Sequence, residues 1–293
     1  MLGALVMLCV TLGACDAPTP PGPGGYVYFG SGGYLARLSL GDGSSEIVAH
    51  VGDGSITSVG NYKDDELLLT VRRLVNSTDT PMVVRFDSAT RHYTNLFVGN
   101  KAVFMRYGDT TVYDDGFTLM STRIVGDDRR VTKIYAHDFN ATVTIVAISD
   151  QALLFQVSKG NDSKIFHYDV STEIRESLDE FSTLCDLEGA VWVPEMQQML
   201  CQVPGRSKAK SQYRFVAMDG QLGDIVPWPG KNPFRPLLYL PGQRVLVLTE
   251  AWRGFLGGRR RYAVWIYDLA SGESYRLVKD QYLGNHVAYK PLQ

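Results

Sequence analysis

The sequence predicts an all-β protein built as one closed ring. It reads as a single β-propeller of six four-stranded blades, sealed by pairing of the C-terminal strand into the first blade. Three observations carry this expectation. A polar turn followed by a strongly apolar strand recurs along the chain, and an aspartate-bearing turn closes the strand after it. The first unit is one strand short, while the last residues offer one to spare. The 29 glycines and 16 tyrosines, with many Val, Ile and Thr, favour strands and turns over helices.

Second strands are read at KDDELLLTV (63–71), DDGFTLMS (114–121), SDQALLFQV (149–157), PEMQQMLCQV (194–203) and PGQRVLVLT (241–249). Third strands follow at VVRFDSAT (83–90), KIYAHDFN (133–140), KIFHYDVST (164–172), YRFVAMDGQ (213–221) and AVWIYDLASGE (263–273). Their turn aspartates, Asp87, Asp138, Asp169, Asp219 and Asp268, suit tight turns because Asp tolerates left-handed angles and bonds its own backbone. The spacing, roughly 30–50 residues, is that of propeller blades. Outer strands such as HYTNLF (92–97) and SYRLV (274–278) come next.

Near the start, YVYFG (26–30), YLARLSLGDG (34–43) and SEIVAHV (45–51) make three strands, and HVAYKPL (286–292) is the fourth. Such closure removes the open edges that invite aggregation. The weak point is ATVTIVAIS (141–149), which must serve as the outer strand of one blade and the inner strand of the next. Five or seven blades therefore stay open, and a β-sandwich is the competing fold. These units resemble the propellers of TolB-like and WD40-like periplasmic proteins, in architecture only, because the SPDG of the TolB-type repeat is absent.

Residues 2–12 are uncharged and mostly apolar, as long as a secretory core and too short to span a bilayer. Leu12-Gly13-Ala14-Cys15 resembles the bacterial lipobox, although Met1 to Val10 contains no Lys or Arg. The resemblance implies a signal peptide over 1–14 and a diacylglyceryl thioether and acylated amine on Cys15. An ordinary cleaved signal is the alternative, but Leu12 is a poor −3 residue for it. Asp16 resembles an inner-membrane retention signal, with the outer membrane as the other destination. APTPPGPGG (17–25) cannot pack and reads as a tether, leaving 26–293 as the propeller.

Cys9 and Cys15 belong to the export segment, leaving Cys185 and Cys201. In an oxidising compartment such a pair suggests a disulfide. If the two flank a hairpin turning near Glu195, however, Cys201 faces roughly Ala190, and two buried thiols are the alternative.

Motifs for catalysis are scarce. G-x-S-x-G, H-E-x-x-H, P-loop, C-x-x-C, G-x-G-x-x-G and sialidase Asp-box patterns do not occur. No catalytic residue, metal site or cofactor is assigned. His137 and His167, read on third strands, are expected to be structural. Asp109, Asp186, Glu188 and Glu250 are the acids to examine in the channel, since retaining sugar chemistry needs two carboxylates about 5 Å apart.

The net charge of −2 hides an expected asymmetry. Second–third loops would carry Arg72, Arg73, Arg129, Arg130, Lys159 and Lys164, then Arg206, Lys208, Lys210, Trp252, Arg253, Arg259, Arg260 and Arg261. The opposite turns would carry Asp64, Asp65, Glu66, Asp114, Asp115, Asp150, Glu173, Glu195 and Glu273, with the turn aspartates. The expected function is a lipid-anchored, extracytoplasmic binding or scaffolding protein of the bacterial envelope. Its basic face would engage a protein partner or, second, an anionic glycan; an exported chain is not expected to meet nucleic acid. The competing reading is a propeller glycan hydrolase or lyase with carboxylates in the channel.

Overall fold

Leu67, Leu68 and Leu69 are consecutive, and all three are buried. Successive side chains leave a strand on opposite faces, so this sheet must be covered on both sides. A computed structural model, which describes residues 22–125, 128–203, 212–228, 232–253, 260–284 and 286–292, shows how. Six four-stranded antiparallel sheets form the blades of a propeller.

Blade one holds β1 (Tyr26–Ser31), β2 (Tyr34–Ser39) and β3 (Ser45–His50). Blade two is β4 (Gly54–Asn61), β5 (Glu66–Val75), β6 (Thr78–Asp87) and β7 (His92–Val98). Blade three is β8 (Asn100–Met105), β9 (Thr110–Asp114), β10 (Thr118–Val125) and β11 (Asp128–Ala136). Blade four is β12 (Thr142–Ala147), β13 (Ala152–Lys159), β14 (Asp162–Asp169) and β15 (Ile174–Ser177), followed by the short helix α1 (Asp179–Leu184). Blade five is β16 (Val191–Val193), β17 (Gln198–Val203), β18 (Gln212–Ala217) and β19 (Leu222–Ile225). Blade six is β20 (Phe234–Leu240), β21 (Val245–Arg253), β22 (Arg260–Asp268) and β23 (Ser274–Lys279). Finally β24 (Ala288–Lys290) returns to blade one as its inner strand, pairing Tyr26 with Lys290 and Tyr28 with Ala288.

The alternation within each second strand feeds two different cores. Leu67, Leu69 and Val71 pack toward blade one, whereas Leu68 packs with Ala102 and Tyr113 of blade three. Leu153 and Phe155 face blade three and Leu154 faces blade five. Leu246 and Leu248 face blade five while Val245 and Val247 face blade one. Each buried Leu contributes about 1.5–3 kcal/mol relative to exposure. Gly30 of β1 shows how tightly the blades approach, since a Cβ there would lie 2.6 Å from the Ile56 side chain.

Blade three departs from the sequence reading. DDGFTLMS forms the third strand, not the second, and KIYAHDFN ends the outer strand. The inner and second strands are the less apolar NKAVFM (100–105) and TTVYD (110–114). ATVTIVAIS is therefore inner strand only, and the count of six stands without sharing. Third–fourth turns of the expected kind do occur at Asp87, Asp169, Asp219 and Asp268. Each accepts a backbone N–H two residues on, as Asp87 does from Ala89 at 2.8 Å. Backbone donation, from Thr90 first, holds Asp87 below the ordinary carboxylate value. Asp138 is the exception: it follows the outer strand and pairs with Lys159 at 2.5 Å.

Second–third turns and blade-to-blade connections lie on one face, here called upper; first–second and third–fourth turns lie on the lower face.

Deleting residues 286–293 is expected to bare β1 and abolish a single cooperative unfolding transition; an unchanged melt would contradict closure by β24. Leu246→Ala should cost about 2–5 kcal/mol in urea unfolding.

Candidate ligand site at the upper mouth of the channel

Six inner strands, β24, β4, β8, β12, β16 and β20, stand around the axis in sequence. At their upper ends lies a cavity of about 730 Å³, lined among others by Ser58, Arg72, Lys101, Glu188, Tyr282 and His286. Ser58, Lys101 and His286 also line a narrower space of about 230 Å³ further along the axis.

Lys101 owes its place to a β-bulge. The β8–β9 register shifts between Asn100 and Val103, and Lys101 takes a left-handed φ of 48°. A bulge re-aims a side chain, and here the ammonium donates to the Val143 carbonyl of β12. Burial pushes Lys101 below its ordinary value, while Asp114 and Glu188 oppose that shift. His286 is mostly buried. Desolvation, with the charges of Lys101 and Arg235 adding, pushes its imidazole down to about 4.

The opposite wall is the connection from blade four to blade five, which α1 begins. Cys185 and Cys201 are disulfide-bonded, with Cα atoms 5.2 Å apart. The pairing works because Cys185 follows α1 rather than a hairpin register: β16 pairs Val191 with Leu200, and the helix turns the chain back over β17. Gln156 fixes the next residues. Its Oε1 accepts the Leu187 N–H at 2.6 Å, and its Nε2 donates to Ser163 Oγ at 2.6 Å. Asp186 Oδ1 accepts the Glu188 N–H at 3.0 Å. Gly189, at φ 82°, lets Arg235 pass, since a Cβ would lie 2.5 Å from its Nε. Asp186 and Glu188 also line a recess of about 370 Å³.

The acids singled out in the sequence do not all meet. Asp109 lies on the lower face, paired with Lys63 at 2.5 Å. Glu250 is buried in blade six, accepting from Trp265 Nε1 at 2.9 Å and Asn232 Nδ2 at 2.8 Å. Glu188 lines the upper mouth and, with Asp186, the recess beside it. His137 follows the outer strand β11 rather than lying on a third strand, and its Nε2 contacts Asp114 Oδ1 at 3.0 Å.

The expected charge partition is only partly present. Arg72 pairs with Asp79 at 2.8 Å, and Arg73 turns to the Val51 carbonyl and the Tyr93 ring. Arg260 and Arg261 are exposed at the upper end of β22, opposite Arg253 and Trp252. Arg206, Lys208, Lys210, Arg259 and the Arg253 side chain lie outside the described residues, as does Cys15. Arg129 and Arg130 belong to the lower face, where Arg130 meets Glu173 at 3.2 Å, while Asp115 and Asp138 belong to the upper one. The misassigned strands of blade three explain these reversals.

No protein-family model matches this sequence, and no curated protein matches it either. Solved structures share the fold. A chain of the nidogen/laminin complex superposes with a TM-score of 0.62 at 13% identity, covering 91% of this chain and 98% of that one. TolB from Acinetobacter baumannii gives 0.59 at 13% identity, over 92% and 67%. A putative TolB from Agrobacterium tumefaciens gives 0.56 at 12% identity, over 85% and 95%.

His286 yields a pH prediction. Unfolded, it protonates near pH 6.5; folded, near 4. Between those values the unfolded chain holds the extra proton, so this histidine lowers stability as pH falls from 6.5 toward 4. His286→Asn is expected to remove about 2–3 kcal/mol of the stability difference between pH 7 and 4.5. Urea midpoints at both values decide it: equal acid loss in variant and wild type would clear His286.

Proposed function

We propose that this chain is a binding module of the bacterial cell envelope, held to a membrane through a lipidated Cys15 and engaging a protein partner with its upper face. One observation carries the partner reading. The second–third hairpins of blades two and six run past the inner strands, on either side of blade one. Inner-strand pairing ends at Gly54–Arg73 in blade two, yet β5 and β6 continue to Val75–Thr78. In blade six it ends at Phe234–Glu250, yet β21 and β22 continue to Arg253–Arg260. These arms present Leu74, 78% exposed, and Val75 beside Arg72 and Arg73, and Trp252 beside Arg260 and Arg261. Apolar and arginine side chains on rigid projections suit a protein interface.

The anchor reading rests on Leu12-Gly13-Ala14-Cys15, and the likeness to proteins named TolB favours the envelope setting alone. Its geometry is consistent with the arms. Gly25 accepts the Leu40 N–H at 3.0 Å, so the chain joins the ring on the lower face, opposite them. Eleven residues from Cys15 to Gly25 reach at most about 36–40 Å. An anchored protein would turn its arms away from the lipid. Asp16 favours the inner membrane as that surface. The placement of Asp109 and Glu250 away from Asp186 and Glu188 favours binding over sugar hydrolysis.

Two measurements test this. Cys15→Ala should move the protein from the membrane to the soluble fraction, and an unmodified mature Cys15 by mass spectrometry would end the anchor reading. Reversing Arg260 and Arg261 to Glu should reduce partner cross-linking in native membranes severalfold with an unchanged melt, because exposed charges contribute little stability. Reversing Asp64 and Asp65 should do far less; the opposite ranking would move the interface to the lower face.

A further inference from the structure

The upper mouth and the neighbouring recess form one continuous surface, because Glu188 lines both and Thr144 links the recess to the axial space. Their volumes lie within or near the range of small-ligand sites, about 300–1,000 Å³. The two halves differ in chemistry. The recess is walled by the hydroxyls of Thr142, Thr144, Ser158, Ser163, Ser182 and Thr183. A hydroxyl both donates and accepts. Ser158, Ser163, Ser182 and Thr183 already bond within the chain, and the spare donor and acceptor capacity of the six hydroxyls suits a ligand dense in hydroxyls better than an apolar one.

The mouth supplies Lys101 and Arg72, with Asp186 and Glu188 on the side toward the recess. Those carboxylates repel a compact anion such as phosphate lying against them, yet they accept hydrogen bonds from neutral hydroxyls. The ligand that meets both demands carries its negative charge at one end, beside Lys101, and neutral hydroxyls along the rest. Tyr282 completes the surface: it is 48% exposed, lines the mouth, and is braced by the Tyr262 ring at a centroid distance of 4.5 Å. Its ring face suits the C–H face of a pyranose.

We propose that the upper mouth binds an acidic oligosaccharide, with a uronate carboxylate at Lys101, hydroxyls on Asp186, Glu188 and the recess wall, and one ring stacked on Tyr282. This goes beyond the partner reading and does not rest on it.

The test is calorimetric titration of the purified full-length protein with trisaccharides of mannuronate, glucuronate and galacturonate. Controls are the neutral trisaccharide of each linkage and citrate. At least one uronate is expected to give saturable binding, about tenfold or more tighter than its neutral counterpart. Lys101→Met should weaken it by about tenfold or more, with Lys101→Arg restoring part. Tyr282→Ala, a change at an exposed ring, should weaken it severalfold without altering the melt, while Arg260→Glu with Arg261→Glu should leave it unchanged. Absence of saturable binding by every uronate would overturn the proposal. So would equal affinity for neutral and acidic sugars, or citrate binding as tightly as the best saccharide, which would leave a plain anion site.

Discussion

Everything in this molecule depends on second strands that are apolar on both faces. A lone sheet would leave one of those faces wet, so no blade can stand without two neighbours. Leu67 and Leu69 answer to blade one while Leu68 answers to blade three. That demand propagates around the ring until blade six needs blade one, where Val245 and Val247 meet Val27 and Phe29. The pairing of β24 with β1 adds backbone hydrogen bonds at the only place where chain connectivity does not already hold a blade together. Open, the ring would expose two apolar blade faces and an unpaired edge; closed, it exposes neither.

The closed ring is what makes a functional mouth out of unremarkable residues. Inner strands fixed side by side hold Ser58 of β4 and Lys101 of β8 within one cavity with His286, which lies just before β24. Two stretches of the lining are not strand, the connection after blade six and the connection after blade four, and the latter carries its own braces: the disulfide, the Gln156 clamp on Leu187 and the turn from Asp186 to Glu188. A flexible connection there would let two carboxylates relax into solvent. Held, the two exposed carboxylates keep a negative border on the side of the mouth away from the part-buried ammonium of Lys101.

Much of this architecture was legible because two-sided burial writes itself as uninterrupted apolar runs, as in ELLLTV or VLVLT, punctuated by aspartate turns. Blade three was misread for the same reason. Its second strand TTVYD is short and its buried polar positions, Thr110, Thr111 and Asp114, break the apolar run. The strong DDG turn beside it sits between second and third strands instead of first and second. One misplaced strand carried Arg129, Arg130, Asp115 and Asp138 to the wrong faces. The site was less legible than the ring. Asp186 and Glu188 could be suspected as channel acids, but nothing in NKAVFM announces a bulge. Lys101 is aimed by a backbone irregularity that sequence periodicity does not encode. The disulfide was doubtful for a related reason, since hairpin counting has no place for a six-residue helix that doubles the chain back.

The contrast between the two groups of cations follows from solvent. The arms carry more positive charges than the mouth, but theirs are exposed, screened beyond about 8 Å, and in the case of Arg72 already paired with a neighbour. Such charges set the rate and salt dependence with which a partner arrives. Lys101 has already given up much of its hydration, and its protein hydrogen bond is to a neutral carbonyl. A carboxylate placed beside it recovers charge stabilisation in a setting of lower dielectric, where each interaction is stronger. The same desolvation keeps His286 neutral at ordinary pH, so Lys101 is the cation that lines the axial end of the mouth, with Arg235 near enough to act on His286. A single desolvated ammonium selects where a ligand's charge must lie, whereas a wide arginine surface selects only its sign.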